Sequence, residues 1–217
     1  MTDPHQVSRE LATAARAAGR PTEWFEQLYA LAARGEAEVP WQRAAPHPLL
    51  VDWANTHPSG SGRAVVVGCG LGDDAELVAS LGWTTTAFDI SASAVRSAKQ
   101  RFTQTAVDYR QANLLALPSG WAQAFDLVVE SLTVQSMPPE LRLPAQAGIR
   151  SLLAPGGTLV VIGMRLPGGG DLDDGPPWLL TAAEIDAYAT EGLTKVSQHD
   201  SVATTSPLPG YRAEFTR

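Results

Sequence analysis

A run of apolar residues that leads into three alternate glycines most constrains what this chain can fold into. Residues 64–67 read Ala-Val-Val-Val, Gly68, Gly70 and Gly72 follow, and a helix-compatible run extends from 73 to 82. This order predicts a buried strand, a tight turn and a helix whose N-terminus faces a ligand. Glycine lets the backbone approach that ligand closely, because a side chain would stand in the way.

The residues after the glycines indicate which kind of ligand the turn binds. A dinucleotide-binding turn would have its third glycine where this chain has Asp73, and Asp74 comes next. Two carboxylates at a helix N-terminus already complement the positive end of the dipole, and they would repel a pyrophosphate. S-adenosylmethionine carries a sulfonium, an ammonium and a carboxylate, but no phosphate. The acidic pair therefore favours S-adenosylmethionine as the cofactor.

A second strand is predicted over 84–89, and it ends in Asp89, 21 residues after Gly68. An acidic residue at that distance, at the tip of the second strand, is typical of a site that binds ribose hydroxyls. Asp89 could instead cap a helix or lie in a solvated turn. Because Ser91 is the better cap for the helix predicted over 91–102, we expect Asp89 to bind the cofactor.

In these segments the chain resembles the class I S-adenosylmethionine-dependent methyltransferases. The similar segments, in the order that the family has them, are the first motif at 65–72, the second at 88–91, the adenine-contacting turn at 111–118, the fourth strand at 125–130 and the turn into the fifth strand at 152–161. The resemblance implies an α/β fold with a Rossmann-like, doubly wound sheet of seven strands, mostly parallel with an antiparallel C-terminal strand.

The resemblance also implies a set of cofactor contacts. Gly68, Gly70 and Gly72 would admit the methionine end, with Cys69 packing beside it as a small, soft residue and not as a nucleophile. The remaining contacts implied are Asp89 and Ile90 for the ribose and adenine, Asn113 and Leu114 for the adenine, and Glu130 and Ser131 at the tip of the fourth strand, where the methyl group faces the acceptor.

The chain departs from the family pattern at two positions. Val66 stands where the family usually has an acidic residue, and Asn113 stands where the adenine turn usually has Asp. Asn113 keeps a carbonyl oxygen that can accept from an adenine amine. Asp73 and Glu130 are the candidates to replace the missing acid near the methionine ammonium.

The N-terminal third is similar to the opening of the thiopurine methyltransferase-like branch, which includes thiol and halide methyltransferases. The similar segments are 24–29, 35–41 and 46–51, and Asp73-Asp74 directly after the glycines also resembles this branch. This partial resemblance implies that Trp41 and Trp24 lie against the cofactor. The alternative is that both fill core positions, since tryptophan is mostly buried in any protein.

Composition restricts the partners. The chain has 16 basic and 23 acidic residues, a net charge of −7, and no basic run. Such a chain has no electrostatic footprint for a phosphate backbone, so we expect no nucleic-acid substrate. One cysteine excludes an internal disulfide, and four scattered histidines predict no metal site. Neither a signal peptide nor a membrane span is evident, which favours a cytoplasmic enzyme.

We expect a single domain over 1–217, with an N-terminal helical cover at 1–60 and the Rossmann-like core at 61–217. Helices are predicted at 5–18, 22–34, 46–56, 73–81, 91–102, 139–153 and 181–190, and strands at 63–67, 84–89, 106–110, 124–130, 157–164, 194–200 and 210–216. The Gly- and Pro-rich loop 165–177 is either a lid over the acceptor, with Trp178 as an apolar wall, or a surface turn.

The function predicted is methyl transfer to a small molecule, with a thiol or other sulfur acceptor favoured by the N-terminal resemblance. No convincing general base is present: His47 is better explained as a loop residue, and Arg43 could orient an anionic acceptor or be solvated. A thiol needs a base less than an alcohol does. The alternatives are a non-catalytic S-adenosylmethionine-binding module and a nicotinamide-dependent oxidoreductase, which Asp73 and Asp74 disfavour. The sequence does not predict the oligomeric state.

Overall fold

A computed structural model describes residues 4–166, 170–171, 175–201 and 210–217 of the chain. Its helices are α1 (Pro4–Ala17), α2 (Glu23–Ala33), α3 (Pro48–Thr56), α4 (Asp73–Ser80), α5 (Ala92–Arg101), α6 (Arg142–Leu152) and α7 (Ala182–Asp186). Its strands are β1 (Arg63–Val67), β2 (Thr84–Asp89), β3 (Asp108–Gln111), β4 (Phe125–Ser131), β5 (Leu153–Met164), β6 (Thr194–Ser201) and β7 (Gly210–Thr216).

The strands form one seven-stranded sheet in the order β3-β2-β1-β4-β5-β7-β6. Strands β1 to β5 pair in parallel, whereas β7 runs antiparallel to both β5 and β6. The predicted mostly parallel sheet with an antiparallel C-terminal strand is confirmed. Because the chain moves from β1 to one edge and from β4 to the other, the switch point between them opens a crevice at the carboxyl ends of the strands.

Helices cover both faces of the sheet, as its apolar strands require. In β1 the side chains alternate: Val65 and Val67 belong to one buried cluster, and Ala64 and Val66 belong to the other. The first cluster takes in α1, α2 and α6, and the second takes in α3 and α4. This two-sided burial explains why β1 reads as a continuous apolar run and not as an alternating pattern.

Most element boundaries agree with the sequence predictions to within a few residues. The predicted capping box at the start of α7 is confirmed, since Thr181 and Glu184 exchange side-chain and backbone hydrogen bonds. Helix α7 ends at Asp186, short of the predicted 190, and the chain then turns through Glu191 and Gly192, both with positive φ. Strand β5 begins at Leu153 instead of 157, and a 3-10 turn at Pro139–Leu141 replaces the first turn predicted for α6.

Helix α2 is fixed over the crevice by one carboxylate. Glu26 accepts hydrogen bonds from the Ser91 hydroxyl at 2.7 Å and from both the hydroxyl and the backbone N–H of Ser93. Glu26 thereby joins Ser91, which accepts from Ala94 N as predicted, in capping α5. The pairing sets the position of the aromatic side chains that α2 carries toward the site.

Candidate functional site

The segments that end β1, β2 and β4 meet in the crevice and form two connected clefts. The inner cleft is lined by Thr22, Phe25, Tyr29, Trp41, Val67, Gly68, Phe88, Asp89, Ile90, 112–114, 131–133, Ser136 and Met137. The acidic cleft is lined by Tyr29, Val39, 41–43, Ala45, His47, 68–74, Ser131 and Leu132. They share the glycine turn at Gly68 and the tip of β4, so together they form one continuous groove.

The glycine turn has a backbone that side chains rarely adopt. The φ angles of Gly68, Gly70 and Gly72 are +59°, +51° and +94°. A Cβ at Gly68 would lie 2.4 Å from the Thr133 hydroxyl oxygen, and one at Gly72 would lie 2.3 Å from the Tyr109 hydroxyl oxygen. The turn therefore needs glycine for its own backbone and packing, besides any close approach to a ligand.

Asp89 closes the turn from the neighbouring strand. Its Oδ2 accepts the backbone N–H of Gly70 at 3.0 Å, and its Oδ1 accepts that of Ser91 at 2.9 Å. Burial raises the pKa of this carboxyl to about 6, against the opposing effect of these two hydrogen bonds. Each oxygen keeps a lone pair that can accept from a ligand hydroxyl in the inner cleft.

One wall of the inner cleft is formed by Ile90, directly after β2, and by the turn after β3. That turn carries Asn113 and Leu114, and all three residues line the cleft where the sequence predicts adenine contacts. Asn113 Oδ1 accepts the backbone N–H of Leu115 at 2.9 Å. The carbonyl oxygen expected to meet an adenine amine is thus already used to shape the turn, with one lone pair left over.

Asp73 and Asp74 have different surroundings in the acidic cleft. Asp73 makes a two-point ion pair with Arg101 of α5, at 2.7 and 2.9 Å, and Arg101 also donates to Leu71 O. Asp74 Oδ1 accepts the backbone N–H of His47 at 2.6 Å and makes no ion pair with any residue that the structure describes. Burial raises the pKa of the Asp74 carboxyl, and the adjacent Asp73 charge adds to this effect.

Two predicted site residues do not lie in the walls of the groove. Trp24 is fully buried behind it, stacked on Phe25 and edge-on to Trp41, so the core alternative holds for this residue. Glu130 is also buried, and its Oε1 accepts the backbone N–H groups of Thr133 and Val134. Glu130 therefore shapes the segment after β4 from below; burial raises the pKa of its carboxyl to about 7.

For Trp41 the sequence left open whether the side chain lies in the site or in the core. It lines both clefts, and its Nε1 donates to the Tyr29 hydroxyl at 3.0 Å. Leu132 lines both clefts as well and has a φ of +61°, unusual for a residue with a side chain. Four further residues belong to the site and were not predicted from the sequence: Tyr29, Leu132, Thr133 and Arg101. Of these, Tyr29 lies in the segment 24–29 that carries the resemblance.

Beyond Trp41 and Leu132 the groove opens into an outer chamber. The chamber is lined by His5, Ser8, Pro40, Trp41, Arg43, Leu132, Gln135, Ser136, Met164, Pro176 and Pro177, and spans about 940 Å³ including space continuous with solvent. Three of its polar side chains are engaged with the backbone: Gln135 accepts from Met164 N, Ser136 donates to Leu132 O, and Ser8 donates to His5 O. Arg43 makes no ion pair within the part of the chain that is described.

His47 has a structural role. It is the N-cap of α3, where its Nδ1 accepts the backbone N–H of Leu49 at 3.2 Å. Burial, and secondarily the charge of Arg43, lower the pKa of its imidazole to about 4. A histidine that is neutral and this weakly basic is poorly suited to take a proton at neutral pH, which agrees with its interpretation as a loop residue.

The loop 165–177 can be followed only in part, because 167–169 and 172–174 lie outside the described residues. Pro176 and Pro177 line the outer chamber. Trp178, expected as an apolar wall, is buried, with its backbone N–H donating to Gln135 O at 2.6 Å. The hypothesis of a lid over 165–177 stays a prediction.

Cys69 is buried in the turn, and burial raises the pKa of its thiol well above the ordinary value. Such a thiol stays protonated and packs as an apolar group. Among the residues that the structure describes, no three His, Cys, Asp or Glu side chains gather as metal ligands would. In the same residues, no helix is long and apolar enough to span a membrane.

Comparison with known proteins points to one class of enzyme. A family model described as "Methyltransferase domain" matches residues 64–157. A relative named "Probable thiol methyltransferase 2", from Arabidopsis thaliana, is 26% identical over 79% of this chain and 76% of its own length. A 2-heptyl-1-hydroxyquinolin-4(1H)-one methyltransferase of Mycobacteroides abscessus is 28% identical over 65% of each chain.

A solved structure shows the same fold. The N-methyltransferase NodS from Bradyrhizobium japonicum WM9, in complex with S-adenosylhomocysteine, superposes with a TM-score of 0.68 at 20% sequence identity. The match covers 88% of this chain and 98% of that one. The likeness in fold therefore extends over most of the chain.

Proposed function

This chain is a class I S-adenosylmethionine-dependent methyltransferase near the thiol methyltransferases, and from that premise we propose that it methylates the sulfur of a small thiol with an apolar body. The similarity to methyltransferases disfavours the two alternatives, a non-catalytic module and a nicotinamide-dependent oxidoreductase.

The groove fits the cofactor. Asp89 offers two oxygens at the ribose position, and the apolar wall with Ile90 and Leu114 suits a flat adenine ring. The glycine turn presents backbone and no side chains toward the acidic cleft, where we place the methionine end. Since Trp41 and Leu132 line both clefts and the outer chamber, the methyl group would face the chamber between them.

The walls of the outer chamber favour an acceptor with an apolar body. Six of its lining residues are apolar: Pro40, Trp41, Leu132, Met164, Pro176 and Pro177. Its enclosed cavity volume of about 350 Å³ lies at the lower end of the range for pockets that bury drug-sized molecules, about 300–1,000 Å³, and exceeds what an inorganic anion needs. The other polar side chains Gln135, Ser136 and Ser8 are bound to the backbone, so Arg43 is the cation in the lining that can contact an anionic sulfur. This combination of apolar walls and one arginine is the observation that carries the proposal.

The surroundings of the groove also favour an acceptor that ionises by itself. A thiol has an ordinary pKa of about 8.5, so an appreciable fraction is thiolate at neutral pH without a base. Within the groove Asp73 is paired with Arg101, and the His47 imidazole has a pKa near 4. An alcohol would depend on a base, for which His5 in the chamber wall is the candidate among the described residues, whereas a neutral amine would attack through its lone pair and lose its proton after the transfer.

The protein's part in the reaction is positioning. When bound, S-adenosylmethionine supplies a methyl group on a sulfonium, which leaves readily as a neutral thioether. Trp41 and Leu132 would hold the acceptor sulfur in line behind that methyl, and Arg43 would stabilise the thiolate that approaches. The prolines and Met164 exclude water from the chamber and favour an acceptor with matching apolar surface.

The methylation rates of three aryl compounds that differ only in the attacking atom test the class of acceptor. Thiophenol should be methylated at least tenfold faster than phenol or aniline at pH 7.5, because a thiol ionises without a base more readily than a phenol and an anionic sulfur is a stronger nucleophile than the neutral nitrogen of aniline. The measurement is release of S-adenosylhomocysteine from saturating S-adenosylmethionine. Faster turnover of phenol or aniline would contradict a sulfur acceptor, and an His5→Ala variant would then test the base.

Removal of the Arg43 charge should weaken binding of the acceptor and leave binding of the cofactor nearly unchanged. In Arg43→Gln we expect KM for thiophenol to rise about three- to tenfold, since a charge-assisted contact at a partly solvated site is lost. The dissociation constant of S-adenosylhomocysteine, measured by calorimetry, should change less than twofold. Lys99→Gln is the matched control, because Lys99 is an exposed cation on α5 that lines none of the three cavities.

Cofactor affinity should depend on pH through Asp89. Ribose hydroxyls donate to the carboxylate, so binding favours the deprotonated form, and a carboxyl with a pKa of about 6 must lose its proton first. Affinity is then full above about pH 7 and falls up to about tenfold per unit below pH 6. Calorimetry with S-adenosylhomocysteine from pH 5 to pH 8 measures this change in affinity. In Asp89→Asn, which has no carboxyl at this position, the loss of affinity below pH 6 should disappear.

A further inference from the structure

The methionine end of the cofactor carries an ammonium that needs an acceptor in the acidic cleft. Val66, where related enzymes usually have an acid, is buried in the cluster beneath the sheet and offers no oxygen from its side chain. A buried ammonium without an anionic or carbonyl partner is costly. Some other group in this chain must therefore meet it.

The two carboxylates that the sequence suggested as replacements are both engaged elsewhere. Asp73 gives both its oxygens to the Arg101 guanidinium, with donor–acceptor distances of 2.7 and 2.9 Å. Glu130 lies beneath the tip of β4, outside the walls of the groove, and its Oε1 holds the N–H groups of Thr133 and Val134. Neither can turn to the cleft without leaving a buried or paired partner unsatisfied.

Asp74 lies in the acidic cleft, as Glu130 does not, and makes no ion pair with a described residue, whereas Asp73 does. It lines the acidic cleft beside the glycine turn, and its donors in the free protein are neutral: the backbone N–H of His47 at 2.6 Å, with the Ser131 side chain also nearby. Two charges act on the pKa of its carboxyl: Asp73 raises it, and Arg43 lowers it without forming an ion pair with Asp74. The carboxylate is therefore held in place by neutral donors, with no cation in direct contact among the described residues.

We propose that Asp74 is the residue that binds the methionine ammonium of the cofactor, in place of the acid missing at position 66. The proposal rests on the placement of the methionine end in the acidic cleft. It also explains the acidic pair after the glycines, because the two residues divide the work: Asp73 fixes α4 to α5 through Arg101, and Asp74 faces the ligand. The contact orients the cofactor, so Asp74 is a positioning residue.

Two ligands that differ only in the amino-acid end test the proposal. S-adenosylhomocysteine has the ammonium, and 5′-methylthioadenosine shares the nucleoside and lacks it. In Asp74→Asn, which keeps an oxygen for His47 N, the dissociation constant of S-adenosylhomocysteine should rise at least tenfold by calorimetry, while that of 5′-methylthioadenosine should change less than twofold. In Asp52→Asn, the matched control on α3, whose exposed carboxylate lines none of the three cavities, the affinity for both ligands should change less than twofold.

Two results would overturn the proposal. One is an unchanged affinity of Asp74→Asn for S-adenosylhomocysteine, and the other is an equal loss for both ligands, which would mean that the substitution only disturbs the cleft. Failure of the cofactor site itself looks different, since the unsubstituted protein would then bind neither ligand. A loss in Asp52→Asn that matches the loss in Asp74→Asn would also contradict the role of Asp74.

Discussion

Asp89→Ala should weaken S-adenosylhomocysteine binding at least tenfold, about 1.4 kcal/mol or more, as measured by calorimetry at pH 7.5. The residue is expected to contribute twice. It would accept the ribose hydroxyls, and it also holds Gly70 N and Ser91 N, which join the glycine turn to the start of α5. Truncation removes the acceptors and leaves buried N–H groups unpaired, each at a cost of about 1–3 kcal/mol. We expect 5′-methylthioadenosine, which keeps the ribose, to be weakened equally.

Asp126→Ala is the matched control for Asp89→Ala. Asp126 also accepts a backbone N–H through its carboxylate, that of Arg63 at 2.8 Å, but it lies near the start of β4, away from the crevice. Its loss should lower the free energy of unfolding and leave ligand affinity within twofold. If Asp89→Ala folds normally and binds S-adenosylhomocysteine as tightly as the unsubstituted protein does, Asp89 is not part of the cofactor site.

The parts of the fold that the sequence predicts well are those that local chemistry decides. The apolar run of β1 and the glycines after it predict strand, turn and helix together, because positive φ angles and buried strands leave few other solutions. Ser91 and the pair Thr181–Glu184 mark helix starts for the same local reason, and both caps form. Boundaries shift where long-range pairing decides, as in β5, which begins four residues earlier than predicted and pairs with Phe125 there.

Glu130 lies at the strand tip that the sequence indicates, but its side chain does not line the groove. Side chains alternate along a strand, and Val128 belongs to the buried cluster on the first face of the sheet. Glu130, two residues later, points to that same face, and so it reaches beneath the segment after β4. Ser131 has the opposite direction and lies in the groove wall. Counting along β4 shows that the two side chains point to opposite faces, but not which of them lines the groove, because Val67 and Phe88 of the first cluster also line the inner cleft.

Trp24 and Trp41 could not be separated by any such count. Both belong to N-terminal segments that resemble the same enzyme branch, and tryptophan fits either a core or a cleft. The outcome depends on where α2 packs, which Glu26 determines through contacts with Ser91 and Ser93, more than 60 residues away. The pairing of Asp73 with Arg101 is likewise a tertiary contact with no signal in the sequence.

Gly68→Val should damage both the stability of the protein and the site. A β-branched residue at a φ of +59° is strained, and its Cβ would lie 2.4 Å from the Thr133 hydroxyl oxygen. That hydroxyl cannot move aside freely, since it donates to Val67 O at 3.0 Å. We expect the free energy of unfolding to fall by roughly 2–4 kcal/mol in urea titrations, and S-adenosylhomocysteine binding to be lost.

Gly120→Val separates the effect of the glycine turn from the effect of adding a valine. A Cβ at Gly120 meets nothing within 4 Å, and the residue lies in a 3-10 turn and lines none of the three cavities. Its free energy of unfolding should change by less than about 1 kcal/mol, with ligand affinity unchanged. Gly68→Ala should fall between the two, because alanine keeps the Cβ clash and lacks the branch. If Gly68→Val matched Gly120→Val in both measurements, the turn could accept a side chain, and neither positive φ nor contact with Thr133 would explain the glycine there.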